Sequence, residues 1–282
     1  MPSSAQRAYF ALRAFNIELA SVKDGNERRT STVDASYSTI AMKVRMAWWR
    51  DVLNQLYGSE HQPAASLWRS PVVRALFRAV EEKQLTRRFL ERLVDAREAD
   101  LDILHIATME DLMAYCEDSC SSLLYLSLEC VGVRDEGADD VAGMMGVAWG
   151  ITTAIRSTIF RAHNGEISIP ADLLESTKIR PQYLIARLDE NFEPKPEVEN
   201  TLKESIQNMA FTASQQLSKA REMQGDVPKT GKSVLLHAIP TTFYLRKLQE
   251  ANFDLWNPKL TSNDGQLVML AMMGRAWWTG RI

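Results

Sequence analysis

The chain has 282 residues, 45% of them hydrophobic, and a formal net charge of −3. This supplies apolar material for one large core or two smaller ones, and an acidic balance without a basic domain speaks against a general nucleic-acid binder. Thirteen Gly and ten Pro are few for this length, which favours helices over a turn-rich β architecture.

Residues 3–24 open with Ser3 and Ser4 as cap candidates and continue with Tyr9, Phe10, Leu12, Phe15, Ile17 and Leu19 in helical pattern. Residues 25–38 are polar and carry Gly25, Asn26 and several Ser and Thr, so a loop is expected there. Within it Arg28-Arg29-Thr30-Ser31 reads as solvated surface, with phosphorylation as the less favoured reading. Helix resumes through Ile40, Val44, Trp48, Val52 and Leu56 and stops at Gly58, and His61-Gln62-Pro63 begins a turn. Ser70 caps a helix over 71–83 with Pro71 at its first position, and Thr86 caps the next, over 87–103. That helix holds Asp95, Glu98, Asp100 and Asp102, an acid-rich run that reads as a solvated face because Arg97 interrupts it. Thr108 opens a long helix over 109–131, with Glu110 and Asp111 in its first turn and Gly132 at its end.

The segment 139–170 organises the rest. Val141, Met144, Met145, Ala148, Ile151, Ile155 and Ile159 recur at spacings of three and four, one apolar helical face. Asp139 and Asp140 stand at its start, and Ala162-His163-Asn164-Gly165 at its end. Short helical pieces are expected over 171–190, a break at Phe192 to Pro196, helix over 197–223, loop over 224–231, and two final helices over 233–251 and 264–279. No strand pattern and no repeat is found, so the chain reads as one all-α domain.

Other motifs carry less. Cys116, Cys120 and Cys130 fall on one predicted helix, which suits packing in a reducing compartment better than disulfides. Gly231-Lys232-Ser233 imitates a phosphate loop, but five residues rather than four separate Gly225 from Gly231, and no strand precedes them. The four His, at positions 61, 105, 163 and 237, are scattered and no nucleophile turn accompanies them. Each Trp pair, Trp48-Trp49 and Trp277-Trp278, sets adjacent rings about 100° apart on a helix. One ring of each pair is expected in the core, and the other is free for a partner or a membrane surface. No run of 18 apolar residues exists to span a membrane.

Two stretches carry a family resemblance. Phe10-Ala11-Leu12-Arg13-Ala14-Phe15 leads into Ala20-Ser21-Val22-Lys23-Asp24, and Ile155-Arg156-Ser157 leads through Phe160-Arg161 to Gly165-Glu166 and Pro170. The chain resembles the squalene and phytoene synthases, whose helices carry two Asp-rich motifs at these places. The resemblance implies a single-domain all-α bundle of the isoprenoid synthase type over 1–282, with a targeting segment and first helix expected to be missing ahead of it. At the metal-motif positions stand Ala20, Asp24, Ser157, Phe160 and Arg161; only Asp24 is still acidic, and Lys23 joins it. Magnesium needs several oxygen ligands in octahedral array to hold a diphosphate, so no metal, cofactor or catalytic residue is expected. Arg156, Arg161 and His163 are the candidates for a remnant anion site.

The same strings, with Asn16-Ile17-Glu18-Leu19-Ala20, Ser121-Ser122-Leu123-Leu124-Tyr125-Leu126, Gly150-Ile151-Thr152 and Phe253-Asp254-Leu255, resemble a non-catalytic branch of that family, the complex I assembly factor 6 proteins. The branch implies an assembly role for mitochondrial respiratory complex I, acting early on a membrane-arm subunit. Its partners would be complex I subunits or assembly intermediates, with peripheral association to the inner membrane from the matrix and no nucleic acid. The alternatives are a prenyltransferase using relocated acids such as Asp24, Glu98 and Asp102, and a non-catalytic binder of prenyl lipid or prenyl diphosphate.

Overall fold

Helices follow one another from end to end in the computed structural model, which describes residues 3–24, 32–58, 66–174, 179–189, 191–262, 265–280 and 282. In chain order they are α1 Ser3–Asp24, α2 Thr32–Leu56, α3 Pro71–Lys83, α4 Arg87–Asp100, α5 Met109–Cys116, α6 Ser122–Cys130, α7 Glu136–His163, α8 Pro181–Ala186, α9 Pro196–Met223, α10 Lys232–Leu235, α11 Ala238–Glu250, α12 Pro258–Thr261 and α13 Gln266–Thr279. Among the described residues there is no strand, and one parallel bridge joins His105 to Ile167.

Local chemistry explains most boundaries. Ser70 accepts a hydrogen bond from the Val73 amide and Pro71 starts α3. Thr108 and Asp111 close a reciprocal capping box on α5. Asp135 caps α7, three residues ahead of the expected start, by accepting from the Ala138 amide. Helix α2 starts at Thr32 rather than near Ile40: the stretch from Thr32 holds no Gly or Pro, and its Ser and Thr are weak breakers. The expected sites at Arg28 to Ser31 and His61 to Pro63 lie outside the described residues. Thr86 holds the N-cap position of α4 but makes no side-chain bond to the helix; its hydroxyl and its amide both donate to the Glu129 carboxylate. Helix α4 stops at Asp100, three residues early.

Two cores form. One gathers α1 to α4 with Leu123, Leu126 and Cys130 of α6 around Leu12, Phe15, Trp49, Leu76 and Leu93. The other gathers α5 to α11 around α7, with Val141, Ala148, Ile151, Ile206, Met209 and Ala213. Trp149 packs against both.

The predicted helix over 109–131 is not uniform. Between α5 and α6 the chain makes one π turn, Glu117–Ser121. That turn presses on α7 where α7 has no side chains: a Cβ on Gly146 would collide with the Ser121 backbone, and one on Gly150 with Cys116. The Ser121 hydroxyl donates to the Gly143 carbonyl at 2.9 Å. The glycines at 143, 146 and 150 therefore form the contact stripe. Burial keeps the thiols of Cys116, Cys120 and Cys130 protonated, their pKa values raised, as packing groups require.

Gly146→Val is expected to destabilise the fold by about 2–3 kcal/mol, because the overpacked side chain meets backbone rather than a movable tip. Urea unfolding followed by circular dichroism would measure it; an unchanged midpoint would refute the close-packed stripe.

Candidate functional site

The positions singled out by the motifs converge. The last turns of α1 contribute Leu19, Ala20 and Lys23, the end of α4 Arg97 and Asp100, and α7 Thr153, Ser157, Phe160 and Arg161. With Glu166 from the following loop they line a cavity of about 170 Å³. Asp24 ends α1, and its side chain lies outside the described residues.

Gly165 places Glu166. It sits at φ +79°, its amide donates to the Ala162 carbonyl, and the Glu166 amide reaches back to the Arg161 carbonyl at 3.0 Å. This is the glycine-terminated helix stop that folds the chain over the last turn. The chain then runs beside the segment after α4, with the Ile167 amide donating to Leu104 and the Ala171 amide to Ile106. Glu166 is thereby brought next to Asp100.

Four charges meet in this space. Lys23 Nζ stands 2.9 Å from Glu166 and 3.4 Å from Asp100, and also donates to the Asp100 carbonyl at 2.7 Å. Arg161 reaches Glu166 at 3.1 Å and Asp100 at 3.5 Å. The carboxylates are nearly closed to solvent, with side chains 8% exposed at Asp100 and 7% at Glu166. Burial pulls the Arg161 pKa down, but Asp100, Tyr115 and Glu166 outweigh it and the guanidinium is held the more firmly. Arg97 adds a third cation and donates to the Tyr115 hydroxyl at 2.7 Å; burial pushes that phenol up to about 12.

A magnesium cluster does not fit these residues. Each carboxylate is already shared between Lys23 and Arg161, and Ala20, Ser157 and Phe160 offer no anionic oxygen. With Arg97 the described lining carries three cations against two carboxylates, which opposes entry of a further cation. Among the described residues no group of three or more His, Cys, Asp and Glu is disposed to hold a metal.

The three candidate anion-site residues are not brought together. Arg161 is committed to its carboxylates, whereas Arg156 and His163 are exposed and do not line the cavity. Of the relocated acids whose side chains are described, Glu98 pairs with Arg50 and Asp102 with Lys43, away from the cavity. Asp95, Glu98 and Asp102 thus behave as a solvated face, but Asp100 does not; it is 6% exposed. Asp100 follows Leu93 by seven residues and Arg97 by three, which places it on the apolar face of α4. Glu166 had a signal too. Relative to the synthase motif, position 161 turns acid to base while position 166 turns base to acid, a complementary exchange.

Comparison with known proteins agrees with this geometry. The sequence pattern of the squalene/phytoene synthase family matches residues 1–268. "NADH dehydrogenase (ubiquinone) complex I, assembly factor 6" of Mus musculus is 31% identical over 279 residues, covering 98% of this chain and 75% of the relative. The Homo sapiens protein of the same name is 30% identical over 280 residues at the same coverage. Among solved structures, the squalene synthase HpnC of Alicyclobacillus acidocaldarius superposes with a TM-score of 0.70 at 16% identity, over 90% of this chain and 86% of that one. A dehydrosqualene synthase in complex with ligand gives 0.72 at 15% identity, over 99% and 89%.

Glu166→Gln leaves Lys23 and Arg161 with one carboxylate between them and should cost roughly 2–4 kcal/mol. Combining it with Lys23→Met should cost less than the sum of the single changes, because the two are coupled. A double-mutant cycle by chemical denaturation measures this; additive effects would show that the charges do not act as a unit.

Proposed function

Because this chain belongs to the squalene/phytoene synthase family, and within it to the branch of complex I assembly factor 6 proteins, we propose that it serves as a non-catalytic assembly factor for mitochondrial respiratory complex I. The match to assembly factors along 98% of the chain carries this reading. It is a pseudoenzyme: Lys23 and Arg161 neutralise the carboxylates of the site, so that no metal-held diphosphate can be ionised there. Its working place is the matrix face of the inner membrane, where it acts early on a membrane-arm subunit. No described helix is long and apolar enough to cross a membrane, which is compatible with peripheral attachment.

The interior supports a scaffold over a carrier of prenyl lipid. Between α1, α7 and α11 the space holds Trp149 and His237 with ring centres 5.7 Å apart. The Tyr9 hydroxyl lies 3.2 Å from His237 Nε2, and the Arg13 guanidinium lies 5.4 Å from the Trp149 ring centre.

Removal of the protein from its cells should deplete fully assembled complex I on native gels, with the other respiratory complexes retained. Re-expression should restore it. Normal complex I in cells lacking the protein would overturn the assignment.

A further inference from the structure

Helix α13 breaks the usual rule for a surface helix. A helix packed on one side presents its polar residues to water on the other. Here the buried pole is Ala276, 5% exposed. At about 100° per residue, Leu267, Leu270, Ala271, Gly274, Trp277 and Trp278 fall within roughly a third of the circumference on the opposite side. All six face out, with Trp278 83% exposed, Leu267 82%, Trp277 69% and Leu270 58%. The expectation that one tryptophan of this pair would be core fails, because both rings stand on the outward arc; Trp48-Trp49 follows the expectation, with Trp49 1% exposed. The helix contains no acid and a single base, Arg275.

The charges flanking the helix select what covers it. The cleft at its C-terminal end carries Lys229 and Lys232, and the cleft at its N-terminal end carries Arg246, Lys247 and Lys259 against one acid, Glu250. Positions 229–282 hold seven Lys or Arg and three Asp or Glu, in a chain whose net charge is −3. An apolar outward stripe, a tryptophan pair at one end and a basic border are the features of a helix lying in a lipid headgroup layer. A buried protein interface has no need of this mainly basic border.

We propose that α13 docks the protein on an anionic phospholipid bilayer, lying in the plane of the surface. Leu267, Leu270, Trp277 and Trp278 enter the headgroup region, and the basic residues on either side rest on lipid phosphates. This rests on the inner-membrane placement given above and names the surface responsible.

The test uses the whole chain with protein-free vesicles of phosphatidylcholine, with and without an anionic phospholipid. The protein should co-sediment with the anionic vesicles, and raising salt from about 0.1 M to about 1 M should weaken binding. The double variant Trp277→Ser with Trp278→Ser should bind at least about tenfold less. Lys229→Glu with Lys259→Glu should lose the preference for anionic vesicles. Unchanged circular dichroism would show that each variant is folded, as exposed positions allow. Full binding by the tryptophan variant would overturn α13 as the surface while leaving the membrane placement standing. Failure of the unmodified protein to bind any vesicle, native inner-membrane vesicles included, would overturn both. Equal binding to uncharged vesicles would overturn the electrostatic part. Binding only to native inner-membrane vesicles, abolished by protease pretreatment of those vesicles, would make the occupant a protein and refute the proposal.

Discussion

Everything at the centre of this molecule follows from two side-chain cations, Lys23 and Arg161, each bonded to the same two carboxylates, Asp100 and Glu166. A prenyl synthase spends carboxylates at this place on metal ions, which in turn hold a diphosphate. Here the protein supplies the positive charge itself, at the ends of α1 and α7. The arrangement is electrostatically closed: the acids would be costly to leave unpaired, and so would the bases. A site of this kind can tie three helix ends and a loop together, and among the described residues it has no unpaired carboxylate to offer a metal. The paired charges at the ends of α1 and α7 and the family fold therefore stand together in one molecule.

The frame has support apart from the four-charge cluster. The glycines of α7 admit the π turn between α5 and α6 to backbone contact, and none of Lys23, Asp100, Arg161 and Glu166 takes part in that contact. Trp149 spans both cores from the same helix. A chain with these constraints keeps the isoprenoid synthase architecture whatever occupies the former site, consistent with TM-scores of 0.70 and 0.72 at 16% and 15% identity.

Helices and their caps were legible in the sequence because their signals are local: Ser70-Pro71, Thr108 with Asp111, and glycines after α6 and α7. The degraded motifs were legible as an absence. What replaced them was harder to see. Asp100 lies in one acid-rich run with Asp95, Glu98 and Asp102, yet helical periodicity puts it on the other face. Glu166 stands out in the sequence as a departure from the motif, but a lone acid after a glycine names no partner; its pairing with Lys23 and Arg161 is seen only in the fold. The π turn leaves no residue signature, since Glu117 to Ser121 would suit an α-helix equally well. The tryptophan pair of α13 departs from expectation for a different reason. Helical geometry fixes the angle between adjacent rings but not the direction in which the helix is buried, and a terminal helix packed along one narrow line turns both rings outward.

Release of inorganic pyrophosphate from farnesyl diphosphate by the purified protein with Mg²⁺, followed against the same mixture without protein, decides whether the site is a closed ion-pair cluster. A closed cluster gives identical rates. Mg²⁺-dependent release above that background, abolished by boiling the protein, would show a working site instead.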